Sequence, residues 1–291
     1  LLRRELPNKA KISGGEMSTS RSPKDPSCTV DLGAQYISAA PYYARIHMNY
    51  VNMHTVYHHS GAEVLYERHV THIHQKDTGW EVCHKGGAPD RFDIVVVTMP
   101  VPQILQLQGD VESLIGENQR RMLEAVSYSS RYALGLFYKA DTQIDIPWAA
   151  KYVSSNPCIR FIAIDDKKRN LGQSLKNCGP AVMVHTSVPF GIQHLEEEKD
   201  AVQPNILEEL EKVMPGLPQP DSIKCQKWRY SQVTGSVADC PGQMTLHSTA
   251  SAGVCVWGGG GGGGGGGFTH SNFYGYIESA LKGFEVLKSS L

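Results

Sequence analysis

Phe92-Asp93-Ile94-Val95-Val96-Val97-Thr98-Met99-Pro100 is the stretch on which the fold turns. Consecutive β-branched side chains without polar alternation read as a strand buried on both faces of a sheet, and Pro100 and Pro102 end it. Such a strand needs helices to cover it. Upstream, Gly61 to His74 reads as a strand, and Lys76-Asp77-Thr78-Gly79 turns it into Trp80-Glu81-Val82-Cys83, a β-hairpin. Further upstream, Lys11 to Tyr43 is loop-like around a short strand at Ala34 to Ile37. Downstream the pattern becomes mixed. Glu112 to Val126 can place Leu114, Ile115, Met122 and Leu123 on one helical face, and Tyr132 to Tyr138, Ile159 to Ile164 and Ala181 to Thr186 read as strands. A helix is expected over Asn205 to Val213, with Pro204 at its first position. The last helix should pack Phe273, Ile277, Ala280, Leu281, Phe284 and Leu287 onto a sheet.

Composition excludes several classes. Lys plus Arg total 28 against Asp plus Glu 29 in 291 residues, a net charge of −1 that leaves no electrostatic footprint for nucleic acid. The longest apolar run is far below the roughly 20 residues of a membrane helix. At 41% hydrophobic and 20% charged, the chain has the makings of a packed core. Of 29 glycines, ten stand in a row at Gly258–Gly267, and such a run reads as a floppy loop because each glycine costs roughly 0.5 to 1 kcal/mol against alanine in regular structure. The seven cysteines, odd in number and without a Cys-x-x-Cys pair, read as reduced thiols. Eight of the twelve histidines fall between His47 and His84. His54 and His58 have i, i+4 spacing, but no first shell is completed around them, so no metal site is assigned.

Taken together, Ser13-Gly14-Gly15-x-Met17, Asp31-Leu32-Gly33-Ala34-Gln35-Tyr36-Ile37, the hairpin leading into Phe92–Pro100, and Trp228-Arg229 resemble the flavin-dependent amine oxidase superfamily. The resemblance implies an α/β fold: a Rossmann-like FAD-binding domain, incomplete here, with an inserted mixed α+β substrate domain. The expected divisions are 1–44 with 60–102 and 236–291 for the discontinuous FAD-binding domain and 103–235 for the substrate domain, with 258–267 as the polyglycine loop.

Within the superfamily, Thr98 to Asp110, Glu124 to Tyr138 and Cys225 to Arg229 match one branch closely. That branch implies an oxidase that takes hydride from dihydronicotinamide dinucleotides whose extra hydrogen sits at the wrong ring position. The products are NAD(P)+ and, with oxygen as acceptor, hydrogen peroxide; an older attribution is catecholamine oxidation. By resemblance, FAD is met by Gly14, Gly15, Gly33, Ala34, Gln35, Val70, Phe268, Thr269, Asn272 and Phe273, while Trp228 and Arg229 line the substrate face. No nucleic-acid, membrane or metal partner is implied, and no catalytic acid or base stands out, since the flavin itself accepts the hydride.

The sequence also departs from the pattern. No Gly-x-Gly-x-x-Gly occurs, Leu1 to Glu5 reads as the tail of the first helix, and Asn8 stands where an acid should hold the ribose. Glu16 replaces the arginine after the glycine pair, and a carboxylate there repels a pyrophosphate. The Gly-Asp turn that precedes the last helix falls in the glycine run. These departures support a second reading, a flavin-free form that acts by binding another protein. Resemblance points to secretion, whereas the odd thiol count and the lack of a visible signal peptide point to the cytosol.

Overall fold

A computed structural model describes residues 19–33, 65, 68–168, 178–246, 253–257, 268 and 273–288, with the side chains of 253–257 and 273–274 left aside. In chain order the elements are β1 (Ser20–Arg21), β2 (Thr29–Val30), β3 (Val70–Lys76), β4 (Gly79–His84), β5 (Asp90–Phe92), β6 (Ile94–Val97), α1 (Val101–Ile104), β7 (Gln108–Gly109), α2 (Val111–Leu114), α3 (Glu117–Glu124) and β8 (Ser127–Phe137). They continue with β9 (Ala150–Tyr152), β10 (Ile159–Ile164), α4 (Asp165–Lys168), β11 (Ala181–Thr186), α5 (Val188–Gln193), α6 (Lys199–Val213), β12 (Ser222–Gly235), β13 (Gln243–Thr245), β14 (Gly253–Trp257) and α7 (Phe273–Lys288). The described residues fall into two compact units, one within Gln35–Tyr128 and Gln232–Leu291, the other within Glu16–Ala34 and Ser129–Ser231. No helix of the described residues is long and apolar enough to cross a membrane.

In the first unit, β6 pairs parallel with β14 from Ile94↔Gly253 to Val97↔Val256, and β13 closes the sheet on the other side of β14. The β-branched run at 94–97 is therefore a strand of a parallel pair, as its composition suggests. Burial on both faces is not observed, because Ile94, Val95 and Val96 are half-buried and only Val97 is buried. A second sheet, in the order β5-β4-β3-β7, contains the expected hairpin, with Lys76↔Gly79 at its turn. Ile73, Trp80, Val82 and Val97 share one buried cluster with Leu107, Val111, Ile115 and Leu123, so the boundary drawn at 102/103 runs through a packed core.

Three local expectations need correction. The helix over Glu112 to Val126 is two short helices broken at Ile115-Gly116, where Ile115 is extended (φ −79°, ψ 103°), and Met122 points to solvent. In α7 the buried described positions are Gly275, Ser279 and Gly283, while Leu281 and Phe284 are more than half exposed. Small residues at i, i+4 and i+8 let the helix backbone approach its sheet closely, and that face wins over the larger apolar stripe. Helix α6 begins at Lys199, so Pro204 lies inside it rather than at its first position.

The second unit is built on a five-stranded sheet in the order β12-β8-β11-β10-β9. The pairs β8–β11, β10–β11 and β9–β10 are antiparallel. All six residues of β11 are buried. One face carries α6 through Val202, Ile206 and Leu210, packed with Ile159, Ile162 and Val184. A separate cluster holds Val30, Leu32, Ala133, Phe137, Phe161 and Met183. There the β1–β2 hairpin lies over Gly135, whose added Cβ would meet Val30 Cγ1 at 2.7 Å. Cys28 and Cys178, 150 residues apart, form a disulfide with Cα atoms 5.5 Å apart, which corrects the reading of all cysteines as reduced. Spacing along the chain carries no trace of that proximity, because the fold alone creates it.

Candidate functional site

The best-defined polar node is the carbonyl oxygen of Leu32. It accepts hydrogen bonds from His185 Nε2 at 2.9 Å and Trp228 Nε1 at 3.1 Å, so β11 and β12 each contribute one donor. Leu32 is fully buried. The chain continues directly into Gly33, the first residue of the expected flavin-facing stretch. Next to the node, Asp31 N donates to Asp165 Oδ1 at 3.4 Å, and Lys168 Nζ lies 3.5 Å from Asp165 and 3.9 Å from Asp31.

His185 is fully buried, and loss of hydration pushes its pKa down to about 3; the Leu32 hydrogen bond opposes this, and Arg131 and Lys168 add to it. At neutral pH the ring is therefore uncharged with its hydrogen on Nε2, the tautomer that the Leu32 acceptor demands. A histidine that ends the apolar run Ala181–Val184 inside a fully buried strand is the sequence signal that marks it, and pattern reading passed over it.

Arg229 is the other predicted substrate-side residue, and β12 does not bring it to Trp228: successive strand residues face opposite sides, Trp228 packing with the Val30–Leu32 cluster and Arg229 lying on the Tyr132 side. Arg229 Nη1 and Nη2 each lie 2.9 Å from a Glu196 oxygen, a bidentate pair at the surface with both side chains exposed. The pairing lowers the Glu196 pKa and raises that of Arg229. The loop carrying Glu196 is anchored from the same sheet. Lys227 Nζ donates to Leu195 O and Glu197 O, at 2.9 and 2.6 Å, and Tyr132 Oη donates to His194 O at 2.7 Å. Glu196 thus acts as the partner of Arg229 rather than only as a solvated surface acid.

In the first unit, Val70 opens β3 opposite His84, half-buried against the same core that contains the fully buried Phe268. Gly242 joins that region to the last helix. Its N donates to Phe268 O at 2.9 Å, and its O accepts from Ser279 Oγ of α7. Phe273 is the first residue of α7. Gly14, Gly15, Ala34, Gln35, Thr269 and Asn272 lie outside the described residues, as do Glu16, His54, His58 and the glycine run. Within the first unit the described residues form a parallel β6–β14 pair with α7 packed on β13 and β14; within the second, a carbonyl is held in place one residue before Gly33. The parallel pair with its helix fits a dinucleotide-binding unit.

Comparison with known proteins shows the family. Residues 46–283 match the family described as flavin containing amine oxidoreductase. Renalase from Mus musculus is 47% identical over 311 residues, covering 94% of this chain and 88% of that protein. Among solved structures, an oxidoreductase from Methanosarcina mazei superposes with a TM-score of 0.54 at 17% identity, over 80% of this chain and 52% of that one. A double variant of putrescine oxidase, redesigned in its cofactor binding, gives 0.53 at 11% identity over 81% and 53%. The chain spans about half the length of these two structures, and the likeness to them is one of fold. With most of its length matched by the family and nearly half its residues identical to mouse renalase, this chain belongs to the flavin containing amine oxidoreductase family.

Proposed function

We propose that the chain is a renalase-type flavin oxidase that binds FAD and oxidises dihydronicotinamide dinucleotides carrying their extra hydrogen at the wrong ring position, releasing NAD(P)+. The observation that carries this reading furthest is the Leu32 carbonyl held by His185 and Trp228 immediately before Gly33-Ala34-Gln35, together with the 47% identity to mouse renalase. When bound, the flavin supplies the hydride acceptor and passes the two electrons to oxygen, giving hydrogen peroxide. The protein's part is positional. His185 is neutral and its Nε2 hydrogen is engaged, so it holds backbone rather than moving a proton. Trp228 is held by its indole nitrogen, which fixes the plane of a ring proposed to lie on the substrate side. Orientation of this kind is where hydride transfer gains its rate. Arg229 leaves the opposite face of β12, where both Nη atoms are taken by Glu196, and is assigned no substrate contact.

The test is steady-state turnover of the FAD-loaded chain with each substrate class, following oxygen uptake, peroxide and the nicotinamide product. The reading expects stoichiometric peroxide and NAD(P)+ from the misplaced-hydride isomers. Turnover confined to monoamines overturns it.

A further inference from the structure

The Cys28–Cys178 disulfide has no part in the proposed reaction. It sits where it can govern one segment of the second unit. β1 and β2 are two residues each and, among the described residues, form a two-stranded sheet separate from the five-stranded one. An isolated pair of strands that short is marginal in water. The hairpin is kept on the larger sheet by buried Val30 and Leu32, by the Leu32 carbonyl at its far end, and at its turn by Ser22 Oγ to Ser222 Oγ at 2.8 Å and Lys24 to Asp221 at 3.1 Å. The cystine is the covalent anchor between these ends, one residue before β2 and three before β11.

The cystine is also reachable and chemically graded. Both half-cystines are partly exposed and line a crevice of about 10 Å³ with Tyr138, Asp166 and Gly179. Asp25 Oδ2 lies 3.6 Å from Cys28 Sγ, and Ser27 Oγ lies 3.7 Å from Cys178 Sγ. A carboxylate beside Cys28 disfavours a thiolate there, and with the Ser27 hydroxyl hydrogen held by Asp25 Oδ1 at 2.7 Å it is this charge that grades the two sulfurs. Cys178 is therefore the better leaving group and Cys28 the sulfur attacked. Of the free thiols among the described residues, Cys158 and Cys225 are buried and Cys83 and Cys240 are partly exposed.

We propose that Cys28–Cys178 is a reducible clamp: an external dithiol opens it, and opening it loosens residues 28–33 while the five-stranded sheet stays formed. In the first step a thiolate of the dithiol bonds to Cys28 Sγ, the Cys28–Cys178 bond breaks, and Cys178 leaves as a thiolate that takes a proton. The second thiolate of the reductant then attacks its own bonded sulfur and releases Cys28. Two electrons and two protons pass to the protein, and the dithiol leaves as its cyclic disulfide.

Thiol titration and hydrogen exchange on the whole chain test this. Protein prepared in air and then unfolded should present five titratable thiols, and dithiothreitol-treated protein seven. Amides of 28–33 should exchange about tenfold faster in the reduced state, with those of β10 and β11 unchanged. Asp25→Asn keeps an acceptor for Ser27 and should speed reduction several-fold, and Cys178→Ser should show the fast exchange under both conditions. Seven thiols in air-prepared protein, a bound zinc ion protecting both sulfurs from titration, or equal exchange in the two redox states overturns the proposal.

Discussion

His185 Nε2 donates to the carbonyl oxygen of Leu32 across 2.9 Å, joining the central strand of the second unit to the end of an excursion 153 residues away in sequence. The pair lies out of reach of water, so protonating the ring means hydrating a charge that the fold cannot hydrate. The folded pKa, down to about 3, is below the unfolded value of 6.5, so the unfolded chain binds the extra proton between them. The contribution is present above about pH 6.5 and is lost progressively as pH falls toward 3, with a total on the order of 4 to 5 kcal/mol. Urea unfolding from pH 7.5 to 4.5 should show falling stability. His185→Gln, which keeps a donor and does not titrate, should flatten that slope, and an unchanged slope would assign the acid sensitivity to other groups.

Gly135 marks how closely the β1–β2 hairpin lies on the sheet. A methyl there would stand 2.7 Å from Val30 Cγ1 and 3.1 Å from Leu32 Cδ2, both fully buried. Gly135→Ala should therefore cost about 1 to 3 kcal/mol in denaturant unfolding, by overpacking. A variant as stable as the parent would show that the hairpin can move aside freely.

The strands were the most legible part of the sequence. Ile159–Ile164 and Ala181–Thr186 are strands as read, because apolar β-branched runs state their own burial. Faces and ends were harder. The buried face of α7 carries Gly275, Ser279 and Gly283, and hydrophobic periodicity is blind to a face that packs by being small. The family pattern singles out Trp228, and its bond to Leu32 ties it to the quoted Asp31-Leu32-Gly33 stretch, while its place on the substrate face is a proposal. His185 and the cystine were not legible, since each depends on proximity across more than a hundred residues that only the folded sheet creates.

Helix α6 carries Pro204 at its sixth residue, exposed and past the first turn, where a backbone N–H would otherwise reach Asp200 O. Pro204→Ala should stabilise the protein by about 1 to 2 kcal/mol, the restored bond outweighing the extra freedom of the unfolded chain. Ile206→Ala, on the buried side of the same helix, should cost about 2 to 5 kcal/mol. Thermal unfolding of the two variants checks both directions, and a destabilised Pro204→Ala would mean that the proline fits the helix without strain.

Glu196 occupies the Arg229 fork with both oxygens at 2.9 Å. The pair lies on the face of β12 opposite Trp228, so Glu196→Gln should leave KM and kcat nearly unchanged in steady-state assays. A KM that falls several-fold would instead place Arg229 at the substrate.

The central claim is that the bound flavin is reduced by a dihydronicotinamide and not by an amine, and anaerobic rapid mixing of the FAD-loaded chain reads this directly from the loss of flavin absorbance. The account predicts fast, complete bleaching by the misplaced-hydride isomers, with NAD(P)+ formed one for one, and slow or no bleaching by catecholamines. Faster bleaching by a catecholamine, or no bleaching by either isomer in protein shown to hold its flavin, would contradict it.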